Sequence, residues 1–497
     1  MQINIAQGIY TSNSPDLLAA LPVNMRLVPQ TNEVSGPAGN LRPTDGVTHL
    51  GQAVNAISRG VIRPTGYNQD GVIRVVGDRL FRYGDAITSL VDSSGNNIVI
   101  EAHADDPEKP ARLDYGFDLI SIASNNKLYL YNYKGGQVGT TGEVFVEVTD
   151  PDLGVVKDAI FIDGYYMTTD GEFLVVSDID DPTSFSPFKY GSSEIDPDEV
   201  VALHKIRNEV YAINKNTIEV FQNVGGTGFP FRRVEGAQIM KGAIGRDACC
   251  VYKDSIAFLG GYRNEAPSIY LGVNGAAVKI STKTVDTMLL DYTDEQLSKV
   301  RFETKTGKSL DELLVHLPDK TLVFDANVGQ AMGGGYTWHI LSSAESGVGK
   351  YNYRDIWYYN NKWVVCEHLT GRRCEYSDKI STQGRSIIPW EFSTGFIYNG
   401  GNGALVHELE LVAITGRNGQ EFTNQDDPTI TTSYSVDGQV WSQDRRISTG
   451  KPGDRNKRLV WRQQGMLRNF RIQRFRGDSR AFISVLRLEA QLEPMAY

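Results

Sequence analysis

A short polar turn followed by an apolar run recurs along the middle of the chain. Gly77-Asp78 precedes Arg79–Tyr83, Asn125-Asn126 precedes Lys127–Tyr131, and Asp163-Gly164 precedes Tyr165–Met167. Asn208-Glu209 precedes Val210–Ile213, Lys253-Asp254 precedes Ser255–Leu259, Asp311-Glu312 precedes Leu313–Leu317, and Asn360-Asn361 precedes Lys362–Val365. Such turns favour tight hairpins, because Gly takes a positive φ without a Cβ clash. The units lie close to 40–50 residues apart, with one longer interval. All-strand units at that period predict an all-β chain folded as a β-propeller of six or seven blades, with about four strands in each. An irregular double sandwich is the competing arrangement.

The pattern is densest from Ile160 to Leu203, where Asp163-Gly164, Asp170-Gly171, Asp181-Pro182 and Asp196-Pro197 cut apolar runs of four to six residues. Two hairpin arms are visible there, Ile160–Thr168 and Glu172–Val176. Two helices are expected. Ser14-Pro15-Asp16 supplies an N-cap, a proline at the first helical position and an acid, so Leu17–Leu21 reads as a short helix stopped by Pro22. Thr293 with Gln296 forms a capping box, with Leu297 and Val300 on one face.

After about residue 385 the character changes. Ile387–Phe392, Glu408–Ile414 (Leu409, Leu411 and Ala413 on one side), Leu459–Trp461, Phe470–Ile472 and Ala481–Leu488 read as strands. Thr429–Val436 and Gln439–Ser442 read as a hairpin across Asp437-Gly438. Several short strands at this spacing predict a β-sandwich. The expected organisation is an N-terminal segment (1–45), a propeller (46–384) and a sandwich platform (385–497).

Candidate chemistry is sparse. Ser435-Val436-Asp437-Gly438-Gln439-Val440-Trp441 resembles the Asp-box of propeller sialidases, but it occurs once and is one residue short. A glycosidase needs two carboxylates flanking the bond. Asp178, Asp180 and Asp181 supply carboxylates, which also suit a calcium site or a turn closed by Asp-Pro. The histidines (His49, His103, His204, His316, His339, His368 and His407) are scattered without metal-ligand spacing, and His316 in its apolar run reads as a core residue. Gly225-Gly226 and Gly333-Gly334-Gly335 lack the following Lys-Ser/Thr of a phosphate loop. Cys249, Cys250, Cys366 and Cys374 read as reduced, buried thiols. No catalytic residue, cofactor or metal site is expected. Neither a membrane span nor a secretory signal is visible.

The wording of several phrases is more specific than their pattern. Val176-Ser177-Asp178, Asp181-Pro182-Thr183-Ser184-Phe185, Glu199-Val200-Val201-Ala202-Leu203 and Thr217-Ile218-Glu219-Val220-Phe221 occur in that order. Phe229-Pro230-Phe231-Arg232-Arg233 and Ile280-Ser281-Thr282 follow. Leu21-Pro22-Val23-Asn24-Met25 and Ser58-Arg59-Gly60 lie upstream. In these phrases the chain resembles the packaged-DNA-stabilisation family, the tail hub or nozzle proteins of short-tailed bacteriophages, over most of residues 15–370. The resemblance implies a structural virion protein, made in the host cytoplasm and built into the phage tail. It implies a hexameric ring below the portal and adaptor rings, which closes the channel, stabilises packaged double-stranded DNA, carries tailspikes or fibres and a needle or plug, and becomes the ejection conduit. It also implies that the N- and C-terminal pieces pack together as a platform. A propeller polysaccharide hydrolase and a glycan-binding tail fibre module are the alternatives.

Charge adds one candidate interface. The chain carries a formal net charge of −10, yet residues 440–497 hold 13 Lys and Arg against 5 Asp and Glu, so this segment is +8 and the remainder −18. An acidic body repels DNA phosphate and lets a duplex slide. The basic segment fits an acidic neighbour or DNA phosphate, with Arg468, Arg471, Arg474 and Arg476 as the expected partner-facing groups.

Overall fold

The computed structural model describes the chain apart from residues 1, 4, 6–7, 12–16, 30–38, 65–70, 84–86, 180, 194, 274, 308–309, 329–337, 401, 418–426 and 496–497. Among the described residues, the middle of the chain forms seven successive antiparallel sheets of four or five strands. They open with Ser58–Ile62, Arg112–Gly116, Asp158–Ile162, Val200–Ile206, Gly242–Ala243, Arg301–Gly307 and Tyr353–Tyr359. The seventh sheet runs Tyr353–Tyr359, Lys362–Glu367, Arg373–Ser377 and then Gly46–Leu50, so its fourth strand comes from the beginning of the sequence.

The turn chemistry explains the hairpins. Asn125 and Asn126 (φ 51° and 62°), Asp163 and Gly164 (49° and 93°), and Asn360 and Asn361 (48° and 60°) are all left-handed. Two left-handed residues in a row match the twist of the flanking strands, and Asn, Asp and Gly tolerate that conformation best. The turns are not equivalent, however. Gly77-Asp78 and Asn125-Asn126 join the second and third strands of their sheets, whereas Asp163-Gly164 and Asn360-Asn361 join the first and second. This phase shift makes the spacing of the turns uneven although the sheets are regular. Two expected turns move. Asn208 pairs with Arg207 (φ 56°) in the turn, and Glu209 already opens the strand Glu209–Asn214. Asp311 and Glu312 lie inside the strand Leu310–His316.

Leu17–Ala20 is a strand, not the expected helix, and pairs with Gly8–Thr11 in the register Gly8↔Ala20 to Thr11↔Leu17. A five-residue helix leaves nearly all its terminal N–H and C=O groups without partners, whereas a ladder satisfies them at once. The proposed cap, Ser14-Pro15-Asp16, lies outside the described residues. The second expected helix is present as Asp294–Ser298. Thr293 Oγ accepts from Gln296 N at 3.3 Å and Gln296 Oε1 accepts from Thr293 N at 3.0 Å, with Leu297 and Val300 buried. A helix that the sequence reading did not include, Lys283–Leu289, is capped by Thr282.

The chain divides into two compact units. One comprises residues 51–304 and 353–373. In it Ser58–Ile62, Arg112–Gly116, Asp158–Ile162, Val200–Ile206 and Cys249–Tyr252 touch in succession, and Tyr353–Tyr359 touches Ser58–Ile62. The opening strands therefore circle an axis. Between neighbouring sheets lie apolar layers, such as Ile73, Val75 and Leu80 against Ile120, Ile122 and Tyr129.

The other unit comprises residues 1–50, 305–352 and 374–497. Here Met25–Pro29, Gly39–Pro43, Phe482–Pro494, Ala404–Arg417 and Leu459–Arg462 make one sheet, and Gln2–Ile3 adds to Phe482–Pro494. The N-terminal segment thus pairs directly with C-terminal strands. The facing sheet contains Pro389–Ser393, Phe470–Asp478, Thr429–Ser435 and Arg445–Ser448. Trp390, Phe392, Leu409, Leu411, Trp461, Phe475 and Leu488 fill the space between. The expected arm Gln439–Ser442 is not a strand, because Thr429–Ser435 pairs with Arg445–Ser448 instead. The reason is Asp437, whose Oδ1 accepts from Gln439 N and Val440 N, both at 2.8 Å, and so organises a wide loop rather than a two-residue turn.

Candidate functional site

The carboxylates nearest to a glycosidase pattern build a turn. Asp181 Oδ1 accepts from Thr183 N at 2.9 Å and Thr183 Oγ at 2.6 Å, and Asp178 accepts from Ser184 Oγ at 2.9 Å while pairing with Lys189. Hydrogen bonding from Lys189 holds the Asp178 carboxyl below its ordinary range, opposite to the shift a general acid needs. Asp180 and Gly333-Gly334-Gly335 lie outside the described residues. His316 is buried in its strand, with Nδ1 2.9 Å from Thr321 Oγ. Among the described residues no group of three or more His, Cys, Asp or Glu is placed to hold a metal ion, and no helix is long and apolar enough to cross a membrane. None of the four cysteines forms a disulfide.

The chemistry of the first unit is concentrated on its axis. Arg112 opens its strand and donates to Asp158 at 3.2 Å, with Asp247 at 4.0 Å and His204 Nε2 at 3.3 Å. Asp158 is fully buried and also accepts from Ala159 N and Leu203 N, both at 2.9 Å. Arg301 pairs with Glu303 at 2.7 Å and with Asp355, whose own N–H donates to Glu303 at 2.8 Å. Arg112, Asp247, Arg301 and Phe302 line a cavity of about 150 Å³. Burial, with the Arg112 charge, pushes the His204 imidazole down to about 3, so it is neutral at pH 7. Burial also pushes the Cys249 thiol, 3.4 Å from His204 Nε2, up to about 12, the reverse of an activated nucleophile. These groups brace the ring from inside. Sequence reading missed them because single charges at strand openings look like turn residues. The only available signal was that Arg112 and Asp158 begin apolar runs at matching positions in two sheets.

A comparable brace lies in the second unit. Arg26 donates to Asp45 at 2.9 Å and to Glu312 at 3.2 Å, and Lys305 reaches the same two carboxylates at 3.3 Å each. Burial opposes ionisation of Asp45, but Arg26, Lys305 and Arg42 outweigh it and hold the carboxyl at about 2.

The four C-terminal arginines do not share one environment. Arg468 is exposed. Arg476 pairs with Asp444. Arg474 lies over the Trp441 ring at 4.0 Å and donates weakly to Ser433 Oγ at 3.4 Å. Arg471 is 1% exposed, lies 4.0 Å from the Tyr434 ring, and donates to Gln464 O at 2.8 Å and Gln473 Oε1 at 2.7 Å. The strand Phe470–Asp478 pairs with Thr429–Ser435 without a shift in register, so residues of opposite parity face opposite ways. Arg471 therefore faces inward and is no surface group in this chain. Exposed cations around this region include Arg446, Arg455, Lys457 and Arg462.

Two family models match the chain in tandem. The one described as "Bacteriophage P22 Gp10, beta-propeller" covers residues 1–379, and "Bacteriophage P22 Gp10, beta-sandwich" covers residues 389–493. A relative, the "Tail hub protein gp10" of Salmonella phage P22, is 26% identical over 471 residues, which is 91% of each chain. Among solved structures, the Neurospora crassa Pan2 WD40 domain aligns over 67% of this chain and 95% of its own, with 9% identity and a TM-score of 0.39. BamB from Moraxella catarrhalis aligns over 67% and 97%, with 13% identity and a TM-score of 0.37.

Proposed function

Because the chain belongs to the family of bacteriophage P22 Gp10, a β-propeller followed by a β-sandwich, we propose that it is the tail hub of a short-tailed phage, a structural component of the virion and not an enzyme. The observation that carries this reading is the tandem match of both family models, in order, within one chain. The relative named a tail hub protein spans nearly the whole length. In this reading copies of the chain form a hexameric ring below the adaptor ring. The ring closes the portal channel over packaged double-stranded DNA, bears tailspikes or fibres and a needle or plug, and later serves as the ejection conduit.

Two properties of the chain suit that role. A propeller exposes little sheet edge, so it resists deformation and unwanted strand pairing. The uneven charge, −18 before residue 440 and +8 after it, favours a DNA-repelling body with a basic docking face. The docking face proposed here uses Arg468, Arg474 and Arg476 toward the neighbour, with Arg471 holding the strand from inside. Negative-stain microscopy of the purified protein mixed with adaptor-bearing particles tests the reading. Sixfold rings seated on the adaptor are expected. A monomer that ignores the particles and releases sugar from host polysaccharide would replace the hub with a hydrolase.

A further inference from the structure

Four cations from four different sheets meet beside the axis of the first unit. Arg59 is the second residue of Ser58–Ile62, Lys109 lies three residues ahead of Arg112–Gly116, Lys157 one ahead of Asp158–Ile162, and Arg246 three ahead of Cys249–Tyr252. The four converge at one end of these strands, and with His103 and Asn126 they line a narrow recess open to solvent, whose lining contains no Asp or Glu.

Two of these cations are fixed in place. Arg59 is 1% exposed, yet it makes no ion pair. It donates instead to the carbonyls of Gly77 (3.0 Å), Ile100 (3.2 Å), Lys109 (3.3 Å) and Glu101 (3.3 Å), and to the Ser124 hydroxyl. Its five N–H groups are thereby consumed, and it contributes charge to the recess without a free donor. Arg246 is held by Asp247 at 2.9 Å, by Lys157 O at 3.3 Å and by Pro110 O, which leaves one N–H. Lys157 pairs with Glu199. The Lys109 ammonium makes no hydrogen bond or ion pair, and His103 Nδ1 is buried without a partner. Burial, followed by the like charge of Arg246, lowers both the Arg59 guanidinium (to about 10) and the Lys109 ammonium. The cluster therefore holds unused donors, and Lys109 feels Asp247 and Asp106 only through space.

We propose that this recess binds one small oxoanion of the phosphate class, with Lys109, Arg246, His103 and Asn126 donating to its oxygens and Arg59 supplying fixed positive charge. An oxoanion accepts from several directions at once. By neutralising repulsion between cations drawn from the first, second, third and fifth sheets, it would tie those sheets together. The same phosphate chemistry occurs on a DNA backbone, but a recess that closes around one group from four sheets fits a free ion better than a continuous strand.

The test uses the full chain, with inorganic phosphate as the probe, in isothermal titration calorimetry and in thermal unfolding at matched ionic strength with chloride. Saturable binding of one phosphate per chain is expected, with a raised unfolding temperature and an affinity at least tenfold weaker in Lys109→Met. Lys109→Glu, which places a carboxylate in the recess, is expected to unfold at a higher temperature than wild type in chloride and to lose the response to phosphate. Absence of saturable heat, or equal affinity in Lys109→Met, would overturn the site. So would a Lys109→Glu variant that unfolds earlier in chloride. A short DNA duplex forms the second arm. If it displaces phosphate, the occupant is the nucleic-acid backbone and the assignment to a free ion is wrong.

Discussion

The ring unit and the sandwich bury opposite things. Inside the ring, Arg112, Asp158, Asp247, Arg301 and Asp355 are paired with one another near the axis. Inside the sandwich, Trp390, Phe392, Trp461 and Phe475 stack at centroid separations of 5.1–6.1 Å, and most of the basic residues lie on the outside. The difference follows from geometry. Opening strands that circle an axis converge too closely for large apolar side chains to interdigitate on all sides, so the axial space is closed with extended, hydrogen-bonded charges. Two sheets stacked face to face have a slab about 10 Å thick between them, which aromatic rings fill. The ring therefore depends on its buried charge pairs, and the sandwich on volume.

The sharpest way to break that contrast is Asp158→Ala, which leaves the Arg112 guanidinium only the more distant Asp247 (4.0 Å) and Leu203 N without its acceptor. A loss of about 3–5 kcal/mol is expected from urea unfolding, because a buried charge is left uncompensated. A loss below 1 kcal/mol would mean that the axial charges are hydrated and independent. In the sandwich, Leu411→Ala is expected to cost about 2–5 kcal/mol through lost burial and a residual cavity, with no dependence on pH between 5 and 8.

Acid acts on both regions. His204, His339 and His368 are neutral in the folded chain, pushed to about 3, 4 and 4 by burial first. The unfolded imidazoles protonate near 6.5, so the unfolded state binds more protons below that pH. Stability is complete above about pH 6.5 and falls by up to about 1.4 kcal/mol per pH unit for each histidine as pH drops toward 4. Asp45 acts in a lower window: its stabilisation is present above its unfolded value and is lost as pH falls from about 3.8 toward 2,. Unfolding free energies measured from pH 7 to 4.5 should therefore already decline, and Arg26→Met, which removes a charge that helps to lower His339, should flatten the lower end of that decline.

The smallest effects are expected on the basic face. Arg458→Gln removes an exposed pair with Glu410 and should leave the unfolding midpoint in urea unchanged. Arg471→Gln is the informative exception: losing its bond to Gln464 O and its stacking on Tyr434 should destabilise the sandwich measurably, while Arg468→Gln should not.

The strand framework was legible because hairpin chemistry is local. Asn125-Asn126, Asp163-Gly164 and Asn360-Asn361 announce their turns by the conformations those residues tolerate, and Thr293 with Gln296 announces a helix start. The Leu17–Leu21 reading failed because a local cap signal lost to pairing with Gly8–Thr11, whose register no local pattern records. Gln439–Ser442 failed because the Asp437 side chain rewrote the turn. The axial charges were illegible for a deeper reason: Arg112 and Asp247 are 135 positions apart and meet only through closure of the ring. Likewise, Arg471 looked like its exposed neighbours until the unshifted register of Phe470–Asp478 turned it inward.

In the proposed role this chain closes a phage head over its DNA. Its most direct test is DNA retention by filled heads that carry the adaptor ring but lack this protein, measured as the nuclease-sensitive fraction before and after adding the purified chain. The account predicts that heads without the chain lose their DNA to nuclease, and that added chain protects it in proportion to the rings seated. Equal nuclease sensitivity with and without bound chain would contradict it.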